Sequence, residues 1–358
     1  MKEKIYQKLA DHLDQLPGGF TPSETGAELR LLQHLFTPQE AELAVHLSLE
    51  RETAQEIAQR IGKPLEETEK LLNEMSSRGL IFSIQPNQGP NLFQAVPFVI
   101  GIYEFQVNSL DETLMNNLLD YWRSRKPRSR AKTIPQLRTI PIGEAIEPHL
   151  EALPYEQVYE SVKAHDRYAV APCICRKSAK LMGGGCDAPL ETCLVFDEWA
   201  DYYVRDGRGR SIDLGEVHEI LGRADEANLV LQPTNSKQIA AICCCCSCCC
   251  GILQGLKQNP KPSEAVASDF IAQLDEDLCD GCWTCLDRCP MDALAEHFDR
   301  ISMDYDRCIG CGLCVTTCPS GALTLTRKKG IDQIIVPDTL EDTWQIISQT
   351  QSLPSNHT

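Results

Sequence analysis

The chain has 358 residues, enough for two or three domains each with its own core, and an ordinary apolar content of 42%. Its formal charge of −17 speaks against nucleic acid as the main partner, since a polyanion needs a basic surface, and favours docking onto basic surfaces of other proteins. The charged start MKEKIYQKLADHLDQL has no apolar signal core and no run approaches 18 apolar residues, so a cytoplasmic protein is expected, without a transmembrane segment but with peripheral membrane association open. In such a compartment 19 cysteines point to metal or redox chemistry and away from a disulfide framework.

Residues 1–110 carry four helical patterns in a row: TGAELRLLQHLF, TPQEAELAVHLS, ETAQEIAQRIG and PLEETEKLLNEMSSRGLIFSI. Pro38 and Pro64 suit first helical turns, Leu71, Leu72 and Met75 line one side of the fourth helix, and Gly79 ends it. LIFSI and AVPFVIGIYEF then read as the two strands of a wing, so this part looks like a winged helix-turn-helix over residues 23–105. Its would-be recognition helix presents Glu66, Glu67, Glu69 and Glu74, which disfavours DNA and favours a protein partner. A linker over residues 111–144 contains the one basic stretch, RSRKPRSRAK at 123–132, either a solvated connection or a contact for an acidic partner or anionic membrane.

Residues 145–262 form a cysteine-rich part. Cys173, Cys175, Cys186 and Cys193 come first; AICCCCSCCCG follows, with Cys243, Cys244, Cys245, Cys246, Cys248, Cys249 and Cys250. Between the groups, YYVRDGRGRSI carries a turn at Asp206-Gly207, and Leu214, Val217, Ile220, Leu221 and Ala224 recur at helical spacing. NLVLQP reads as a strand, so a small α/β unit gathers the cysteines. Four upstream thiols plus four from the run complete two further cubane sites and leave three spare. Neighbouring side chains diverge, so the run serves sites on two sides of one segment. Were it helical, Cys243, Cys246 and Cys250 would share a face, with Cys245, Cys248 and Cys249 leaning elsewhere. A thiolate zinc or copper site, or thiol and persulfide chemistry, are the open alternatives. Arg176 is either a donor to a cluster or a plain surface arginine, 183–185 (GGG) a possible close approach of backbone, and Arg205, Arg208 and Arg210 a basic loop, docking or merely solvated.

Residues 263–330 hold the most specific signal. CDGCWTCLDRCP and CIGCGLCVTTCP are each C-x₂-C-x₂-C-x₃-C-P, 29 residues apart, and resemble bacterial two-cluster ferredoxins. In that arrangement the fourth cysteine of each run reaches the other cluster. Cys279, Cys282, Cys285 and Cys318 then hold one 4Fe-4S cluster, and Cys308, Cys311, Cys314 and Cys289 the second. Trp283 stands where the second copy has Gly312, as a cluster shield, a docking point or a packed aromatic. The module is acidic, as suits a carrier. The tail, 331–358, carries one amphipathic helix, TLEDTWQIISQT, expected to cap this module.

The middle part is also similar to multi-cluster ferredoxin-type proteins of anaerobic bacteria. They share a C-x-C-R group (Cys173, Cys175, Arg176), a G-x-G-C to P-x-E-x-C-L stretch (Gly183, Gly185, Cys186, Pro189, Glu191, Cys193, Leu194) and an I-C-N-C-C-x-C-C-C run (residues 242–250). Cys244 replaces the Asn of that pattern and is the first choice for a non-ligand. The expected protein is α+β and multidomain: a winged-helix N-terminal domain, a small cysteine-rich α/β domain and a two-cluster ferredoxin-like C-terminal domain. Two 4Fe-4S clusters and one or two further iron–sulfur clusters make it an electron-transfer protein for a redox partner protein or complex. A reductase with a catalytic cluster and a redox-sensing regulator are the alternatives. No nucleotide, nicotinamide or flavin motif is present.

Overall fold

The computed structural model describes residues 2–126, 133–145, 152–328 and 334–351, so much of the basic stretch, from 127 to 132, lies outside the described residues. The chain divides into two units: Met1–Gln136 with Arg205–Arg208 and Glu341–Thr358, and Leu137–Val204 with Gly209–Leu340. Among the described residues no helix is long and apolar enough to cross a membrane.

The first unit is built on helices α1 (Lys2–Gln15), α2 (Ala27–Leu35), α3 (Pro38–Ala44), α4 (Ala54–Ile61) and α5 (Leu65–Ser77). Thr37 with Glu40 and Thr53 with Glu56 make capping boxes that satisfy the first free N–H groups of α3 and α4. The strands β1 (Glu52–Thr53), β2 (Phe82–Ile84) and β3 (Leu92–Gln94) form an antiparallel sheet in the order β1-β3-β2. Gly79 ends α5 at φ +74, where a Cβ would stand 2.6 Å from that of Phe105. The second wing strand expected at 95–105 is instead β3, three residues earlier. Pro97 cannot donate to a ladder, and beyond it Phe98–Ile102 coils tightly, with Ile100 at φ 64. The Glu104 carboxylate accepts from the N–H groups of Ile100 (2.6 Å) and Gly101 (2.9 Å), and the chain closes as the turn α6 (Tyr103–Phe105) before α7 (Glu112–Ser124).

Two further segments complete this unit. Arg208 is buried and donates to the carbonyls of Ser76, Ser77 and Phe105, which corrects its reading as part of a docking or solvated loop. The tail helix expected to cap the ferredoxin module packs here, with Trp344 fully buried and its Nε1 donating to Gln136 Oε1 at 2.8 Å.

Burial lowers the pKa of His12 below its ordinary 6.5. The unfolded chain therefore binds the proton more readily than the folded one, and stability falls as pH drops through 6.5 toward the folded value. A melting series from pH 7.5 to 5.5 is expected to show that loss in this unit, and His12→Gln to flatten it.

The second unit begins with α8 (Val158–Lys163) and is organised by a five-stranded antiparallel sheet in the order β6-β4-β5-β8-β7. Its strands are β4 (Tyr168–Pro172), β5 (Glu191–Phe196), β6 (Arg210–Ile212), β7 (Val230–Pro233) and β8 (Ala241–Cys245), connected by α9 (Ile174–Leu181), α10 (Asp197–Arg205) and α11 (Leu214–Glu226). One face is apolar: Val170, Leu194, Phe196, Leu231 and Ile242 pack against Val217, Ile220, Leu221 and Ala224 of α11. Arg210 pairs with Glu191 and Glu216 in solvent, a structural bracket. After α12 (Gly251–Gln258) and α13 (Pro262–Ala265), β9 (Phe270–Leu274) pairs antiparallel with β12 (Leu323–Arg327). Between them lie α14 (Thr284–Arg288) and the hairpin of β10 (Leu294–His297) and β11 (Arg300–Met303); the chain then reaches α15 (Leu340–Gln351), the tail helix.

Candidate metal centres

The cysteine run is a strand and a turn, which corrects the helical alternative. In β8 side chains alternate with period two, so Cys243 and Cys245 share one face and Cys244 takes the other. Pairing enforces this: Cys193 of β5 stands opposite Cys243, and Gln232 and Val230 of β7 stand opposite Cys243 and Cys245. Cys244 packs with Ile242 and Leu231 in the apolar layer, and burial raises its pKa. After Cys245 the chain turns through Cys246, Ser247, Cys248 and Cys249, closed by the Cys250 N–H donating to the Cys246 carbonyl at 3.1 Å.

That turn meets Cys186 and makes the tightest constellation. The sulfurs of Cys186, Cys246, Cys248 and Cys249 all lie within 4.8 Å of one another. Cys186 is 3.7 Å from Cys246 and 3.9 Å from Cys249, and Cys248 is 3.7 Å from Cys249. Residues 183–185 (GGG) are exposed, with Gly183 and Gly185 at positive φ, and turn the chain from α9 toward Cys186. Burial pushes Cys248 up to about 11. For Cys186 burial opposes ionisation, but hydrogen bonds from the Ala188 backbone and the neighbouring thiols outweigh it and lower its pKa. Four convergent soft donors, one with its pKa lowered, fit a thiophilic metal or an iron–sulfur cube.

Beside this group Arg176 is completely buried, so the surface-arginine alternative falls. Its guanidinium donates to the Cys244 carbonyl at 3.2 Å and to Thr192 Oγ1, and approaches Cys246 Sγ at 3.7 Å. The remaining middle thiols, Cys173, Cys175, Cys193, Cys243, Cys245 and Cys250, gather on the other face of β8.

In the C-terminal part Cys279, Cys285 and Cys318 pack around Leu294, Ile301 and Leu323, together with Cys289 and Cys314. Cys282 is exposed. A separate cavity is lined by Cys289, Cys308, Cys311 and Cys314, the four residues expected to act together. Burial pushes Cys311 up to about 12 and Cys285 to about 11, which favours the neutral thiol until a bound cation compensates the thiolate charge. Backbone donors already face the sulfurs: the Ala272 N–H reaches Cys308 Sγ at 3.4 Å and the Ala293 N–H reaches Cys289 Sγ at 3.2 Å. Gly281 (φ +68) and Gly310 (φ +69) are required where they are, because a Cβ would collide with the carbonyl oxygens of Asp299 and Phe270. Trp283 holds a similar left-handed conformation (φ 63) to that of Gly312 (φ 77), and packs against the Cys285 group.

Arg288 locks this part to α11. It is buried and donates to the Leu313 carbonyl (3.0 Å), Thr316 Oγ1 (3.1 Å), Asn228 and Asp225. Next to it an open cavity of about 440 Å³ is lined by Cys186, Cys246, Cys248 and Cys289. One polar contact escaped sequence reasoning: Gln232, buried in β7, donates to Cys250 Sγ at 3.8 Å. A lone glutamine in the apolar stretch NLVLQP was its only signal.

Comparison with known proteins agrees with this geometry. A family model for the 4Fe-4S binding domain matches twice, at residues 272–295 and 301–324. No curated protein matches the chain. The C-terminal part is a ferredoxin-type module for two 4Fe-4S clusters, and the four-thiol group around Cys186 is a place for a further one. Such clusters, when bound, accept and release single electrons.

Proposed function

We propose that the chain is an iron–sulfur electron carrier, or the electron-input subunit of a redox complex, serving a redox partner protein in the cytoplasm. Cys279, Cys282, Cys285 and Cys318 hold one ferredoxin-type cluster, Cys308, Cys311, Cys314 and Cys289 the second, and Cys186, Cys246, Cys248 and Cys249 a third. The observation that carries this reading is the position of Cys289. It packs with Cys285, Cys314 and Cys318, lines the cavity of Cys308 and Cys311, and borders the open cavity of Cys186, Cys246 and Cys248. Three thiol groups thus meet around one residue, as a chain of single-electron steps requires. Arg288 fixes the backbone beside it, and Ala272 and Ala293 offer N–H donors that stabilise a reduced, more negative cluster.

Helices α2 to α5 and the three-stranded sheet support a winged-helix reading of the first unit. Exposed Glu66, Glu67, Glu69 and Glu74 on α5 favour a basic protein surface over DNA as its contact. Coulometric titration of anaerobically purified protein tests the proposal. Reversible uptake of three or more electrons per chain is expected, with a loss of about one in Cys186→Ala/Cys248→Ala. Absence of reversible uptake would refute electron transfer, and an unchanged count in the double variant would refute the third cluster.

A further inference from the structure

The six thiols on the far face of β8 exceed what a single cube can use. They neighbour one another in an unbroken line: Cys173 beside Cys175, Cys175 beside Cys250, Cys250 beside Cys245, Cys245 beside Cys243, and Cys243 beside Cys193, its partner across the strand pair. No gap divides them into a set of four and an idle pair. Four elements deliver them: the in-register pair of β5 and β8 supplies Cys193, Cys243 and Cys245, the start of α9 supplies Cys173 and Cys175, and the start of α12 supplies Cys250.

The surroundings are built for concentrated negative charge. Cys173 and Cys250 are the N-caps of two helices, α9 and α12. The Arg176 N–H donates to Cys173, and the Ile252 and Leu253 N–H groups to Cys250. Gln232 adds its side-chain donor to Cys250. Cys245 and Cys250 also pack with Cys311 and Ile309 in one apolar cluster, so the site adjoins a ferredoxin-type centre.

We propose that Cys173, Cys175, Cys193, Cys243, Cys245 and Cys250 form one site for an eight-iron cluster. Two four-iron cubes each take three of the thiolates and share a bridging sulfide at the remaining corner. A lone cube would leave two thiols of the line without a metal, and two separate fully ligated cubes would need eight. This deepens the electron-transfer reading and rests on it for the identity of the metal.

Iron and acid-labile sulfide per chain decide the matter, measured on anaerobically purified wild type and on two double variants, with circular dichroism to report the fold. About 20 Fe is expected in the wild type: about 8 in the ferredoxin-type module, about 4 at the Cys186 group and about 8 here. Cys193→Ala/Cys245→Ala is expected to lose about 8 and to keep the ferredoxin-type signal in its reduced EPR spectrum. A wild-type content of about 16, with a loss of about 4 in that variant, would mean a single cube and overturn the inference. Zinc in place of iron, or no loss at all, would overturn it equally. Cys186→Ala/Cys248→Ala reports separately on the third cluster, so its failure to lose about 4 Fe would count against the proposed function and leave the six-thiol count readable.

Discussion

Stripping the iron from the chain is expected to unfold the loops and hairpin around the Cys285 group and leave the helices of the first unit intact. All 19 cysteines lie between residues 173 and 318, and none falls in Met1–Gln136, Arg205–Arg208 or Glu341–Thr358. Around the Cys285 group the buried apolar side chains besides cysteine are Leu294, Ile301 and Leu323. So small a local core cannot offset the conformational entropy of ordering the loops and hairpin around that group, and metal binding there is folding free energy. The first unit has its own buried set, including Leu31, Leu32, Leu72, Met75, Phe82 and Phe93. Amide hydrogen exchange before and after anaerobic chelation measures this directly. Protection in the β10–β11 hairpin is expected to fall by at least about 10³-fold, while α2, α5 and α7 stay protected. Retained protection in the iron-free segment would show that the clusters are passengers and not part of the core.

Arg176→Leu is expected to be the most damaging substitution that removes no metal ligand. The side chain is completely buried and its guanidinium satisfies the Cys244 carbonyl twice, at 3.2 Å each. Its charge also faces Cys173, Cys245 and Cys246. Leucine leaves that carbonyl unpaired and the thiolates uncompensated, which costs about 3 kcal/mol or more of second-unit stability. Removing a fixed positive charge also makes the reduced state less favourable, so the potential of the Cys186 cluster falls. Arg176→Lys separates the two contributions: it keeps the charge and loses the planar fork, so the potential is expected to stay near wild type while stability drops. Thermal melting and a redox titration of both variants check this. Wild-type melting of Arg176→Leu would mean that these hydrogen bonds carry nothing.

What could be read in advance, and what could not, follows from where each signal is stored. The two ferredoxin-type motifs were legible because spacing, glycine and proline together encode a local loop that needs no tertiary partner. Helix α11 was legible because Val217, Ile220, Leu221 and Ala224 repeat with its period. The conformation of the cysteine run was not. Seven near-consecutive identical side chains have no hydrophobic period, so only pairing with β5 and β7, set elsewhere in the chain, makes residues 241–245 a strand. The destination of the tail was hidden for a similar reason: an amphipathic helix states that it needs a partner, and Trp344 does not say which. The late wing strand failed on Pro97, a warning present in the sequence but outweighed by the β-branched residues after it. Arg208 and Arg210 carried opposite fates behind the same residue type, because burial of an arginine depends on carbonyls that other elements bring.

The alternation of β8 gives the low-complexity run a reading frame. Ligand identity depends on phase and not on cysteine content: deleting one residue between Cys243 and Cys245 leaves almost as many thiols but turns those beyond the deletion to the opposite side of the sheet. A stretch that looks like a tolerant tract of interchangeable cysteines is therefore among the least tolerant of insertion or deletion. Lengthening it to add thiols would exchange the tenants of its two faces before it supplied another ligand.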